Sequence, residues 1–454
     1  MILKYIKFRF IGHCFFIIFF CGCSSQSEKS IEQLVTEVRY EEALIEVSKS
    51  IIIEPDNVSN YKLRATIYDY LGKFEEGIED LSTIIQITEK NSRENLLAYQ
   101  DRAITKLQLG LYSEALEDIN YFIENRDTIG NLLEIYMNKA SILYKIGDVK
   151  NSRIHYQLVL EENNKKDSNI ESQALVGLAN LEELPQKALE LLNQAISIDE
   201  NAIAYGARSA LYIDLGKFEE AYNDSSKALY LNPNDATINF NMGQIFTIYL
   251  NNIDSAIVYY EKAIQLSPKA LDNDNVYLNL GVLKQQKGNQ KEALTLFEKA
   301  EQVNPENDLL LYNFASLLSD LERDNEALIK ISRSISNNSK VPDYFNLKGS
   351  ILLDLFRYDE AKKEFKKAIK LNPNYGIAYY NLGYMSDQQN EYNQAIEYYD
   401  KAVRLNFDLE ATLVNRAILK IQLKRLQSAC KDLNRAFDLG RKDIQPLISR
   451  YCIE

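Results

Sequence analysis

Tryptophan is absent from the 454 residues, and histidine occurs only as His13 and His155. Two histidines and a handful of scattered cysteines cannot assemble a His/Cys metal cluster or a Cys/His nucleophile pair. No glycine-rich phosphate loop and no GxSxG elbow occurs. The chain is therefore expected to be no enzyme and to use no metal and no cofactor. Glycine and proline are sparse, at 17 and 8, which leaves little room for loops. A basic excess is missing too. The formal net charge is −13, and it is −16 once the three cations of residues 1–22 are set aside. Phosphate-tracking surfaces need a basic footprint, so a nucleic-acid partner is not expected. What is present is 46% apolar and 26% charged residues, the balance of a folded protein. Ordinary domain sizes would divide such a length into about three, unless the core grows in one dimension as in a repeat array.

The stretch Asp343 to Pro373 reads as two amphipathic helices. Tyr344, Leu347, Ile351 and Leu355 recur at helical spacing in the first, and Ala361, Phe365, Ala368 and Ile369 in the second. Proline lacks an N–H and fixes φ, so Pro373 closes the unit. Copies of it fill the chain. The small residue opening each second helix falls at Ala43, Gly77, Ala115, Ser152, Ala188, Ala221, Ala256, Ala293, Ala327, Ala361, Ala395 and Ala429, with 34-residue steps over the last four. Twelve residues earlier stands another small residue, as at Ala65, Ala140, Ser209, Gly281, Ala315, Gly349, Gly383 and Ala417; Gly177 and Gly243 fit with a one-residue offset. Seven residues later comes a third, as at Ala228, Ala263, Ala300, Ala368 and Ala402. Pro55, Pro233, Pro268, Pro305 and Pro373 share one register. Acidic pairs such as Glu75-Glu76, Glu219-Glu220 and Asp359-Glu360 open second helices, where they complement the macrodipole, so they are not read as catalytic carboxylates.

A period of 34 with these marks resembles the tetratricopeptide repeat over about residues 31–440. The resemblance implies an all-α, right-handed superhelix (an α-solenoid) of about twelve helix-turn-helix repeats, irregular over 31–201 and regular over 202–440. Residues 441–454, with Ile444, Leu447, Ile448 and Tyr451 at helical spacing, read as a C-terminal cap helix that covers the last apolar face.

The N-terminus has a different character. Lys4, Lys7 and Arg9 precede an apolar run, Ile11 to Phe20, too short to span a bilayer as an ordinary transmembrane helix. It ends in Phe20-Cys21-Gly22-Cys23. This resembles a bacterial lipobox, with Phe20 and Cys21 departing from the usual residues. The resemblance implies a lipoprotein signal peptide over 1–22, acylated Cys23 and a polar tether over 23–30. The repeats would then be lipid-anchored in the cell envelope, with the outer membrane, facing the periplasm, favoured because Ser24 is not the Asp-type retention signal. An uncleaved anchor helix is the alternative. Nothing in the sequence brings Cys430 and Cys452 together. Buried free thiols are expected of them, with pairing in an oxidising periplasm as the alternative.

One constellation exceeds packing needs. Two residues before the small residue of the first helix, Asn recurs as Asn138, Asn241, Asn279, Asn313, Asn381 and Asn415. In the tetratricopeptide family this register lies on the inner, concave surface, and the stacked asparagines resemble a ladder that holds an extended peptide. An Asn side chain offers a donor and an acceptor together, which matches a peptide backbone. The other reading is that they bond between neighbouring helices. Tyr380 and Tyr384 flank Asn381, Leu278 and Val282 flank Asn279, and Asp343, Asp354 and Asp387 edge the groove. The basic partners of a carboxylate clamp are missing. The expected function is a non-catalytic scaffold of the bacterial envelope that binds a peptide or protein segment of neutral or basic character in the groove. A carbohydrate-capturing surface lipoprotein is the alternative, weakened by the absence of Trp platforms.

Overall fold

The structure, a computed structural model, describes residues 30–126, 131–266 and 274–452. The leader, Cys23 and all of the tether except Ser30 lie outside the described residues. The chain divides into two compact units, residues 1–102 and 103–454.

Helices and their connections make up nearly all of the described chain. Its first part contains α1 (Ile31–Thr36), α2 (Tyr40–Ile53), α3 (Val58–Tyr70), α4 (Phe74–Ile87) and α5 (Arg93–Leu109). Then come α6 (Tyr112–Asn125), α7 (Leu132–Ile146), α8 (Val149–Asn163), α9 (Ser168–Asn180), α10 (Pro185–Ile198), α11 (Ala202–Asp214), α12 (Phe218–Leu231), α13 (Ala236–Ile248) and α14 (Ile253–Leu266). The last part holds α15 (Asp274–Gln286), α16 (Gln290–Val303), α17 (Asp308–Asp320), α18 (Asp324–Asn337), α19 (Pro342–Asp354), α20 (Tyr358–Leu371), α21 (Gly376–Gln388), α22 (Tyr392–Arg404), α23 (Leu409–Gln422), α24 (Leu426–Asp438) and α25 (Gln445–Tyr451). Each odd-numbered helix from α7 to α23 packs mainly on the even one that follows it, so the second unit is a stack of helical hairpins, an α-solenoid.

The small-residue register sets how closely the helices approach. Ala221, Ala256, Ala293, Ala327, Ala361, Ala395 and Ala429 are all fully buried. Four glycines go further and leave a slot for an aromatic ring. A Cβ on Gly243, Gly281, Gly349 or Gly383 would lie 2.5 to 2.8 Å from Tyr260, Phe297, Phe365 or Tyr399, respectively. Those rings, one per hairpin, are almost fully buried and form the centre of each layer. The Gly177 slot differs, because its ring, Tyr156, comes from α8, the helix before.

Helix ends follow two rules. Many first helices are capped by a side chain. Asn57, Asn131, Asp167, Asn201, Asp235 and Asn307 each accept a backbone N–H of the first turn. Second helices start instead from a left-handed residue five positions before the small residue. Glycine supplies it at Gly72, Gly110, Gly147, Gly216 and Gly288. Elsewhere Asn251, Glu322, Phe356, Asn390 and Lys424 take it. Phe356 is the costly case, with φ +59 and 76% exposure, since a bulky side chain in that region clashes with its own backbone and here gains no burial. Phe356→Gly is expected to raise the stability of the α19–α20 hairpin by about 1 kcal/mol. A lower midpoint in chemical denaturation would contradict this.

The C-terminal cap is present. A short 3-10 turn (Lys442–Ile444) leads into α25, and Ile444, Leu447 and Ile448 pack on Leu413, Val414, Leu433 and Ala436. The expectation of free thiols at Cys430 and Cys452 is corrected. They form a disulfide, with Sγ atoms 2.09 Å and Cα atoms 5.4 Å apart. The chain turns back after α24 through Gly440 at φ +125, which returns the end of α25 to the flank of α24. Linear spacing does not encode the angle of that return.

Candidate binding face of the first helices

Within the second unit, first helices of successive hairpins touch: α7 with α9, α9 with α11, α11 with α13, α15 with α17, α17 with α19, and α19 with α21. Among the described residues no two second helices make comparable contact. The first helices therefore occupy the tighter, inner side of the stack, and the asparagine register is on them.

Four of the six asparagines use an amide N–H to join one repeat to the previous one. Asn241 Nδ2 donates to the carbonyl of Gly206 on α11 at 3.1 Å, and Asn241 is itself buried. Asn279 reaches the Tyr260 hydroxyl at 3.4 Å. Asn381 donates to Asn346 Oδ1 at 3.0 Å and approaches Ser350 Oγ at 3.4 Å. Asn415 donates to the Tyr380 hydroxyl at 3.0 Å. Asn313 instead bonds back to Leu309 within its own helix at 2.8 Å. Asn138 is half-buried on α7. The helix α19, which has Leu347 in the asparagine register, takes part through Asn346 one residue earlier.

The sites named from the sequence are thus spread along the stack, with one concentration. Tyr380, Asn381 and Tyr384 lie on α21 there, and the Tyr380 hydroxyl meets Asn415 on α23. The Tyr380 ring is 5.6 Å from that of Tyr399 and 5.7 Å from that of Phe407, while Tyr384 is 43% exposed. Of the edging acids, Asp343 is paired, accepting the Tyr375 hydroxyl at 2.5 Å. Partial burial, and then the charge of Asp324, push the Asp354 carboxyl up. Burial alone pushes Asp387 up.

Sequence reasoning missed a set of charged pairs inside the hairpins. Arg64 forks onto Asp80 (2.8 and 2.6 Å), Arg208 onto Asp224 (2.7 and 2.8 Å) and Arg416 onto Asp432 (2.9 and 2.5 Å). In each case the arginine directly precedes the small residue of the first helix and the aspartate lies sixteen residues on. That spacing was visible once the register was set. Lys106 and Asp118 join across the same layer at 2.9 Å. In the fourth hairpin, His155 stands three residues after Ser152, where Asp80, Asp224 and Asp432 stand in theirs. Its ring meets Tyr136 edge-on, and Nδ1 contacts the Asn151 carbonyl at 2.8 Å, so Nδ1 carries the proton. Burial, with Lys139 nearby, pulls its pKa down. Among the described residues no group of three or more His, Cys, Asp or Glu could hold a metal ion, and no helix is long and apolar enough to cross a membrane.

Residues 133–166, 202–235, 236–269 and 274–307 match one tetratricopeptide repeat model, and residues 346–406 match a second. Those stretches are tetratricopeptide repeats. A mitochondrial import receptor subunit, TOM70 of Rattus norvegicus, is 24% identical over 59% of this chain and 44% of its own length. Hsp70-Hsp90 organizing protein 3 of Arabidopsis thaliana is 24% identical over 49% of this chain and 39% of its own. The chain therefore spans less than half the length of these curated relatives. Among solved structures, the APC/C hetero-tetramer Cut9-Hcn1 is similar over 90% of this chain and 92% of its own, at 13% identity and a TM-score of 0.47.

Proposed function

We propose that this protein is a non-catalytic interaction scaffold of the bacterial envelope, held there by a lipid on Cys23, that binds a peptide or protein segment along the inner face of its first helices. The observation that carries the reading is the concentration of polar and aromatic groups on that inner face in a chain whose hairpins are otherwise spent on packing. Relatives named as a mitochondrial import receptor subunit and an Hsp70-Hsp90 organizing protein favour protein partners over small substrates. The Cys430–Cys452 disulfide suits an oxidising compartment, in keeping with an extracytoplasmic position for the repeats. The apolar run ending at Gly22-Cys23 supports the anchor.

The asparagines keep a role in this reading. In Asn279, Asn381 and Asn415, which are half-buried, the amide N–H side bridges to the previous repeat and the carbonyl is left to accept from a backbone laid across it, while the buried Asn241 serves the stack alone. Crosslinking in the intact envelope followed by affinity capture tests the proposal. A reproducible protein partner is expected, lost when Asn279, Asn381 and Asn415 are replaced by Ala with helicity retained. Capture of soluble glycan with no protein partner would overturn it. Cys23→Ala is expected to release the protein from the membrane fraction.

A further inference from the structure

Most charged side chains on or between the hairpins are satisfied by neighbours. Glu301 holds Lys330 and Arg333 at 2.5 Å each, and Lys284 holds Glu261 and Glu292 at 2.9 Å each. Asp308 accepts Asn338 and the Tyr344 hydroxyl, and Asp274 accepts Asn304 and Asn307. Asp387 is the contrast. Its carboxylate is half-buried on α21, and among the described residues no donor and no cation reaches it. Burial raises its pKa with nothing to offset the penalty.

Its surroundings are as distinctive. Tyr380, Tyr384 and Asp387 stand four and three residues apart on one helix and so share a face. Behind them the Tyr399 side chain fills the Gly383 slot from α22. Its hydroxyl is buried, with the Asn415 side chain beside it, and Tyr380, Asp387 and Tyr384 act on it electrostatically. Asn415, from α23, gives its N–H to Tyr380. The set therefore offers an uncompensated anion, two aromatic faces and two acceptor oxygens, and it lacks a positive donor.

We infer that Tyr380, Tyr384, Asp387, Tyr399 and Asn415 form a subsite for one cationic side chain, a lysine or arginine of the protein segment bound in the groove. This rests on the groove reading above and adds the chemistry of one bound residue. An ammonium or guanidinium would pair with Asp387, lie against the ring faces of Tyr380 and Tyr384, and donate to the Tyr399 and Asn415 oxygens. The net charge of −13 would draw such a basic segment toward the chain. An acidic or carboxylate-terminated segment has no counter-charge here.

The test uses the full chain and two blocked, fluorescein-labelled peptides, one of alternating lysine and leucine and its glutamine–leucine counterpart, read by fluorescence anisotropy. The lysine peptide should bind about tenfold more tightly, as expected for one charge-assisted contact. Asp387→Asn should remove that preference, and its unfolding midpoint should be equal or higher, because the variant discards an uncompensated half-buried charge. Tyr399→Phe keeps the ring in the Gly383 slot and should reduce the preference without altering helicity. Equal affinity for the two peptides, or a lysine preference that survives Asp387→Asn, overturns the subsite. If both peptides bind equally but release on Asn381→Ala and Asn415→Ala, the groove reading stands and only the cation subsite falls. Failure of the lysine peptide to bind overturns the subsite and leaves the groove to the crosslinking experiment.

Discussion

Arg208→Met is expected to destabilise the α11–α12 hairpin by about 3 kcal/mol, because it strands the Asp224 carboxylate between two packed helices. Asp224 has 9% side-chain exposure and Arg208 19%, so water cannot replace the lost partner. Both Asp224 oxygens are engaged by the one guanidinium, and the third guanidinium nitrogen holds Asn193 at 2.7 Å. Arg416→Met is the informative comparison. Asp432 keeps Lys420 at 2.7 Å, so the expected loss there is about half as large. Replacing both partners, as Arg208→Met with Asp224→Leu, should recover most of the stability, since an apolar pair leaves no charge behind. Repeat arrays do not unfold as one two-state unit, so hydrogen exchange resolved to α11 and α12 is the right measurement. Unchanged protection there in Arg208→Met would show that the pair contributes nothing.

Cys430→Ser with Cys452→Ser is expected to cost roughly 3 kcal/mol and to free α25 first. The closed loop spans a sequence separation of 22, and loop closure of that length removes about this much free energy from the unfolded ensemble. Without the disulfide, the apolar hold on the cap is Ile444, Leu447 and Ile448, of which only Ile444 is buried, beside the Lys442 contact with Phe437. Its loss would uncover Leu413 and Leu433, and the exposed layer should bind ANS or associate with a second copy. Hydrogen exchange over residues 442–452 should accelerate before that of α19 to α22. Exchange unchanged by the double substitution would mean that packing alone secures the cap.

Most of the architecture was legible because it repeats. Ala221 to Ala429 recur at a period no single-core protein maintains, and each is buried as the register requires. Proline and small residues marked the turns and close approaches for the same reason. The binding face was legible only as a register. Six asparagines share it, yet Asn241 bonds a backbone carbonyl, Asn279 and Asn415 bond phenols, Asn381 bonds another asparagine, and Asn313 turns back on its own helix. For the four that bridge repeats, the neighbour met depends on groups 19 or 35 residues away across the stack, and no local pattern carries that.

The sequence by itself determined the helix-pair period, the buried small-residue rows, the proline register that closes the hairpins and the acidic balance, all of which act within one hairpin or through composition. Tertiary structure alone decided three things. It closed Cys430 onto Cys452 through the return angle of the tail, it placed Tyr156 rather than a ring from α10 in the Gly177 slot, and it left Asp387 without a counter-charge while Asp80, Asp224 and Asp432 each received one. The physical reason is common to all three: each depends on which atoms from different helices come within bonding distance, and a one-dimensional repeat specifies the helices before it specifies their meeting points.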